Sequence, residues 1–199
     1  MDKRRFEPGY DRRRKIVGVM GGKRDVPELT LPLGELIARR GYHLLTGAGP
    51  GIMEGVSRAF FEYEGRQGAV IGIVRAVTPC AGTTHGSRRE YLPNRVNTWV
   101  EIPIYTQLHL SSEDCLSRNH INVLTADVVI ALPGNEGTAS EVELALQYGV
   151  PLIIFTGVGK IGGRDAQELA GRYAEEVVQV ASGIEDVDRA LAEILGDQL

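Results

Sequence analysis

Short apolar runs bounded by glycine alternate along the chain with stretches whose apolar residues recur every three to four positions. That alternation is the pattern of βαβ units feeding a parallel sheet covered on both faces. The first run, Ile16–Met20, leads through Gly21 and Gly22 into a helix predicted over Pro27–Arg40, with Leu29, Leu33, Leu36 and Ile37 on one face. Pro27 suits a first helical turn, whereas Pro32 is expected to weaken or delay the start. Gly41 ends that helix, Tyr42–Thr46 reads as the second strand, and Gly47–Gly51 as a loop into a helix beginning near Ile52. Ala69–Val74 is the third strand.

From Arg75 to Asn97 the sequence turns polar and irregular, a length of loop that suggests a lid or ligand-contacting segment. Trp99–Tyr105 predicts a fourth strand ending near Pro103, and Ser111 or Ser112 a cap for a helix running to Leu124. Asp127–Leu132 is the clearest strand, with Asp127 opening it. It passes through Pro133–Thr138 into a helix over Ala139–Tyr148, which Gly149 stops before the strand Pro151–Phe155. A helix over Asp165–Glu176, a strand over Val177–Val180 and a helix over Ile184–Leu195 complete the series. The expected fold is α/β, a Rossmann-like doubly wound parallel sheet flanked by helices, with residues 1–14 a charged leader and 15–199 one ligand-binding domain.

With 199 residues, 43% of them hydrophobic and 24% charged, the chain can bury one good core. A net charge of −4 supplies no general basic field, so nucleic acid is not an expected partner. The basic residues between Lys3 and Lys15 are interrupted by Asp2, Glu7 and Asp11 and broken by Pro8–Gly9, which reads as a solvated leader rather than a binding arm. Cys80 and Cys115 lack C-x-x-C spacing, and with His43, His85, His109 and His120 they form no metal pattern, so both read as free thiols. No apolar run reaches bilayer length and the N-terminus lacks a signal-like apolar core, so a cytoplasmic protein without membrane contact is expected.

Ligands of open α/β sheets bind at the carboxyl ends of the strands. Gly21–Gly22, Gly47–Gly51 and Gly134–Gly137 each follow a predicted strand there, and the last two open directly into helices. Such turns let backbone N–H groups approach an anion while the helix dipole favours it, so a small phosphorylated ligand is expected, with Gly21, Gly22, Gly47, Gly49, Gly51, Ile52, Met53, Gly134, Asn135, Glu136, Gly137 and Thr138 as candidate contacts. Tight turns alone would account for any one loop; three in equivalent positions favour a site. Gly47–Gly51 lacks the Lys-Ser/Thr of a P-loop, and neither it nor Gly21–Arg24 has the G-x-G-x-x-G spacing. NAD or ATP-hydrolysis chemistry therefore has no positive support.

The segment Pro133–Glu141, with Ser117–Asn119 upstream, resembles the superfamily of the LOG cytokinin-activating phosphoribohydrolases, long mislabelled lysine decarboxylases, and the molybdenum-cofactor carrier proteins. The family pattern P-G-G-x-G-T-x-x-E matches at Pro133, Gly134, Gly137, Thr138 and Glu141 and departs at Asn135; the family arginine falls on Arg118 and its earlier glycine loop on Thr46–Gly55. Ile52–Ser57, the Arg118–Asn119 pair and the step from Leu144 to Pro151 look closer to the carrier branch, whereas Pro133 looks closer to LOG. The resemblance implies a homodimer or larger oligomer. It also implies one of two functions: a carrier holding molybdenum cofactor as cargo, with a molybdoenzyme or cofactor-biosynthesis partner, or a hydrolase cleaving nucleoside 5'-monophosphates to base and ribose 5-phosphate.

In the hydrolase reading Arg118 and Glu141 are catalytic, the arginine gripping phosphate or ribose oxygens and the carboxylate stabilising an oxocarbenium-like state. In the carrier reading both contact the ligand, no catalytic cofactor is needed and no metal is bound. A sensor that binds nucleotide derivatives without turnover is a third reading, since fold alone does not fix function. Thr138 is expected to donate to phosphate or cap its helix, Asn135 to bond the ligand or cap the turn, and Glu136 to face solvent. Thr83, Thr84, His85, Ser87, Arg88 and Arg89 form a polar loop able to close over an anion, read as exposed. His120 projects to another face of its helix, as a structural or interfacial residue.

Overall fold

The computed structural model describes residues 13–75, 96–106, 108, 116–171 and 178–196. In chain order the elements are β1 (Ile16–Met20), α1 (Pro27–Arg39), β2 (His43–Thr46), α2 (Ile52–Glu62), β3 (Val70–Val74), β4 (Ile102–Tyr105), α3 (Arg118–Thr125), β5 (Val128–Ala131), α4 (Glu136–Gln147), β6 (Leu152–Ile154), α5 (Ala166–Ala170), β7 (Val178–Val180) and α6 (Ile184–Leu195). The strands form one parallel sheet in the order β4-β3-β2-β1-β5-β6-β7, a Rossmann-like doubly wound α/β fold. From β1 the chain winds outward to β4 and then returns to lay β5 on the other side of β1. The carboxyl ends of β1 and β5 therefore flank the topological switch point.

Alternation along each strand divides the core in two. Val128 and Ile130 of β5 join Val17, Val19 and Leu44 beneath α1, α2 and α6, while Val129 and Ala131 join Met20, Leu45 and Ile73 beneath α3, α4 and α5. A strand buried on both faces needs apolar residues at successive positions, and this is why β3 and β5 read as continuous apolar runs. Asp127 anchors the start of two strands. Its carboxylate accepts from the Ile16 N–H at 2.8 Å and from both terminal nitrogens of Arg13 at 2.7 Å.

Pro32 does not delay the first helix, and the expected starts of three other elements move. Helix α1 starts at Pro27 and runs through Pro32; burial of Leu29, Leu33, Leu36 and Ile37 outweighs the roughly 3 kcal/mol cost of an internal proline. β4 begins at Ile102 and passes through Pro103 to Tyr105, because an outermost strand tolerates a missing N–H on its open side. α3 begins at Arg118, where the Ser117 N–H donates to His120 Nδ1 at 3.1 Å; the proposed caps Ser111 and Ser112 lie outside the described residues. α4 begins at Glu136 rather than Ala139, so Glu136, Gly137 and Thr138 form its first turn instead of a loop. The remaining part of the expected 165–176 helix beyond Gly171 lies outside the described residues, as do Cys80, Cys115, His85, His109, most of the 75–97 loop and nearly all of the leader.

Helices α1 and α2 cross at Gly34, where an added Cβ would lie 2.6 Å from both the Ala59 Cβ and the Val56 carbonyl oxygen. Gly34→Val forces these backbones apart. It should cost about 1–3 kcal/mol, the usual penalty of overpacking, read as a lowered urea midpoint with unchanged slope.

Candidate functional site

The loops after β1, β2 and β5 converge at the switch point, and hydrogen bonds fix them to one another. The Gly22 N–H donates to the Pro133 carbonyl at 2.9 Å, and the Ile52 N–H donates to the Gly22 carbonyl at 3.1 Å. Gly51 takes φ +75 directly against the Lys23 backbone, a position open only to glycine. Ile52 is fully buried against Gly21. Met53 lies over Gly47 and Gly49, its thioether sulfur 3.1 Å from where a Cβ on Gly47 would stand. The β2 loop is held from the other side by Asn97, whose Nδ2 donates to the Gly49 carbonyl at 3.1 Å.

The β5 loop is pinned by a later segment. The Gly134 N–H donates to the Lys160 carbonyl at 2.9 Å, and the Gly162 N–H returns a bond to the Gly134 carbonyl at 2.9 Å. The amides of Gly22 and Gly134 are therefore committed to the framework. Those of Glu136, Gly137 and Thr138 open α4, where helix geometry provides no intrahelical acceptor, and Asn135 at the N-cap makes no side-chain capping bond. Thr138 is buried with its hydroxyl against Gly134, while Asn135, Glu136 and Gly137 are exposed. Glu136 thus faces solvent as expected.

Opposite this turn, α3 places Arg118, Asn119 and Asn122 on one buried face. Arg118 is 7% exposed; one terminal nitrogen donates to the Gly47 carbonyl at 2.9 Å, and its Nε has no partner. Asn122 donates to Glu141 Oε1 at 2.7 Å, and Asn119 reaches the Gly137 carbonyl at 3.4 Å. The Oδ1 atoms of both asparagines are buried without partners. Burial holds the Glu141 carboxyl above its usual range, opposed by the charge of Arg118 and the bond from Asn122. Burial likewise lowers Arg118, with Glu141 offsetting part and Arg75 adding to the effect. No ion pair joins Arg118 to Glu141 among the described residues.

Buried polar atoms are ordinarily satisfied, and leaving one unmade costs on the order of 1–3 kcal/mol. Three of them on adjacent side chains, a buried guanidinium that makes no ion pair among the described residues and an uncapped helix N-terminus form a cradle that could hold a polar anionic ligand. The sequence indicated Arg118, Glu141 and the α4 turn. It did not indicate Asn122, although its position four residues after Arg118 puts it on the same helical face, nor Asn97 or the Thr156–Lys160 segment, whose roles depend on tertiary contacts. His120 is structural, fixing the turn that launches Arg118. Among the described residues no group of histidine, cysteine and carboxylate side chains could hold a metal, and no helix is long and apolar enough to cross a membrane.

The model of the family described as LDcluster4, SLOG cluster4 family, matches residues 14–187. Among solved structures the chain is similar to the molybdenum cofactor binding protein of the phototrophic bacterium Rippkaea orientalis, with 34% identity, TM-score 0.69, and 92% of this chain and 98% of that one covered. It is also similar to the molybdenum cofactor carrier protein of Chlamydomonas reinhardtii, with 27% identity, TM-score 0.64, and 92% and 99% covered. The fold alone extends to DNA processing protein A of Helicobacter pylori, at 17% identity and TM-score 0.58, with 94% and 84% covered. No curated protein matches significantly.

Proposed function

The chain belongs to the SLOG cluster4 family, and from that premise we propose that it binds and carries a small phosphorylated ligand, molybdenum cofactor being the best candidate. The observation that carries this reading is the buried Arg118 guanidinium with its unpartnered Nε on α3, whose next residue Asn119 reaches the Gly137 carbonyl in the uncapped first turn of α4. The amides of Glu136, Gly137 and Thr138, with the Thr138 hydroxyl, would hold the phosphate. Arg118 would neutralise it, and Asn119, Asn122 and Glu141 would receive N–H or O–H donors of the attached group. Gly21, Gly22, Gly47, Gly49, Gly51, Ile52 and Met53 shape the floor. The relatives' molybdenum cofactor binding supports the choice of cargo. In this reading residues 15–199 act as one ligand-binding unit behind a leader of residues 1–14, in a cytoplasmic homodimer or larger assembly. Cargo passes to a molybdoenzyme or arrives from a cofactor-biosynthesis partner.

Gly137 gives the cleanest test. A Cβ there meets nothing within 4 Å, so Gly137→Leu should fold with a Tm close to wild type. Helical side chains lean toward the N-terminus, so this leucine would cover the anion-binding amides. Titration with a phosphorylated pterin should show affinity falling at least about tenfold, the loss of one or two charge-assisted bonds. Unchanged affinity would remove the phosphate from this turn.

Glu141 favours the competing reading, nucleotide phosphoribohydrolysis, because glycosidic cleavage passes through an oxocarbenium-like state that a positioned carboxylate can stabilise while orienting water. Incubation with AMP and related monophosphates separates the two: release of free base and ribose 5-phosphate, lost in Glu141→Gln, would replace the carrier reading. Binding of such monophosphates without turnover would favour the nucleotide-derivative sensor.

A further inference from the structure

A groove of about 900 Å³ lies beside the cradle, on the α1 side of the Pro133–Asn135 loop. One wall is the segment from Gly22 to Leu29 at the start of α1, and the other is Thr156–Lys160 after β6. Val26, Pro27, Pro133 and Val158 give it apolar surface, while Lys23, Arg24 and Lys160 bring three cations to its lining. None of the three forms an ion pair among the described residues. The Asp25 carboxylate accepts from the Val26 N–H and the Thr30 hydroxyl at 2.9 Å and makes no ion pair with the three cations among the described residues. Glu28 adds an exposed acceptor to the same wall.

Groove and cradle share the Pro133–Asn135 loop. The Gly22 and Gly134 backbones pack in contact there, a Cβ on Gly22 standing 3.2 Å from the Gly134 Cα, and the groove reaches the cradle at Asn135, which lines it and is the N-cap of α4. The far wall is also rigidly coupled to the cradle, since the Lys160 carbonyl accepts from the Gly134 N–H and the Gly159 N–H closes a turn onto the Thr156 carbonyl at 2.8 Å. Apolar walls, a cationic lining and a hydrogen-bond acceptor match the chemistry of a nucleotide: a flat ring, a phosphate and an exocyclic amine. The volume lies within the range of about 300–1,000 Å³ common for small-molecule sites.

We propose that this groove is a second ligand compartment that takes a nucleotide moiety joined through pyrophosphate to the group held at the α4 turn, so that the preferred ligand is dinucleotide-like rather than a monophosphate. The proposal rests on the reading that the α4 turn holds the first phosphate. The two probes are a phosphorylated pterin and the same pterin extended through a pyrophosphate link to a purine nucleoside. Wild type should bind the extended probe at least about tenfold more tightly, the gain from added charge-assisted contacts. The double variant Arg24→Ser/Lys160→Ser alters two exposed side chains. It should erase that preference while leaving the affinity for the monophosphate within about twofold.

Equal affinity of wild type for both probes would overturn the second compartment alone, as would a double variant that weakens both probes by the same factor. Binding of neither probe would overturn the cradle reading and this one with it. The Gly137→Leu variant distinguishes the cases further, because it should weaken both probes together.

Discussion

Arg118→Met should fold and lose affinity for a phosphorylated ligand. The side chain is buried and reaches the Gly47 carbonyl through one nitrogen, but its Nε is unpartnered and no carboxylate forms an ion pair with it among the described residues. Hydrogen bonds to charged groups contribute about 1.5–3 kcal/mol, so affinity for a phosphorylated pterin should fall roughly 10- to 150-fold. Methionine keeps much of the apolar stem and removes a guanidinium that burial disfavours, while Glu141, losing the opposing charge, is pushed further toward its neutral form. The two effects oppose each other, so the ligand-free variant should melt close to the wild-type temperature. A merely structural arginine would give the opposite result, a lower Tm with affinity reduced only in proportion to the unfolded fraction.

Glu141→Gln should raise the stability of the ligand-free protein at neutral pH and remove a pH dependence. Burial raises the folded-state pKa of Glu141, so the folded chain holds this proton more tightly than the unfolded chain. The associated stability is fully present below the ordinary carboxyl range and is lost as pH rises through the elevated folded value. Glutamine is neutral at every pH and its carbonyl can still accept from Asn122. The gain at neutral pH should be on the order of 1–3 kcal/mol, the cost of an incompletely compensated buried group, or roughly 2–12 °C in Tm. Melting curves of both proteins from pH 4 to 8 check this: wild type should lose stability relative to the variant as pH rises. Parallel curves would show that Glu141 is fully compensated by Arg118 and Asn122.

A site that gains stability when Glu141 is neutralised sacrifices stability for binding, which is the common signature of a pre-formed ligand cradle. The same logic explains what was legible in the sequence. β5 and α6 were visible because continuous burial on two faces and a clear amphipathic period leave strong patterns. The turn that opens α4 was visible because glycine and threonine follow a strand at fixed spacing. Its helical start at Glu136 was not: Glu136, Gly137 and Thr138 carry weak helix propensity together, and the helix begins there because Gly134 is clamped by Lys160, a contact from 26 residues later in the chain.

The groove was illegible for the same reason. Lys23, Arg24 and Lys160 are ordinary surface residues in sequence and become neighbours only when the segment after β6 returns to the β5 loop. Asn119 and Asn122 could have been read from helical spacing behind Arg118, but an asparagine does not reveal from sequence whether its carbonyl is satisfied. His43 shows the reverse case. One of four histidines considered for metal chemistry, it accepts the Ala69 N–H at 3.0 Å, and burial, with the nearby Arg14, lowers its pKa. It is a structural acceptor between β2 and the start of β3.

The most direct test of the account is to follow the backbone amide resonances of Glu136, Gly137 and Thr138, with the Arg118 Nε–H, while a phosphorylated pterin is titrated into the full chain. Saturable shifts at these four groups, with a shared dissociation constant, are the expected result. Saturable binding that leaves them unmoved would contradict it.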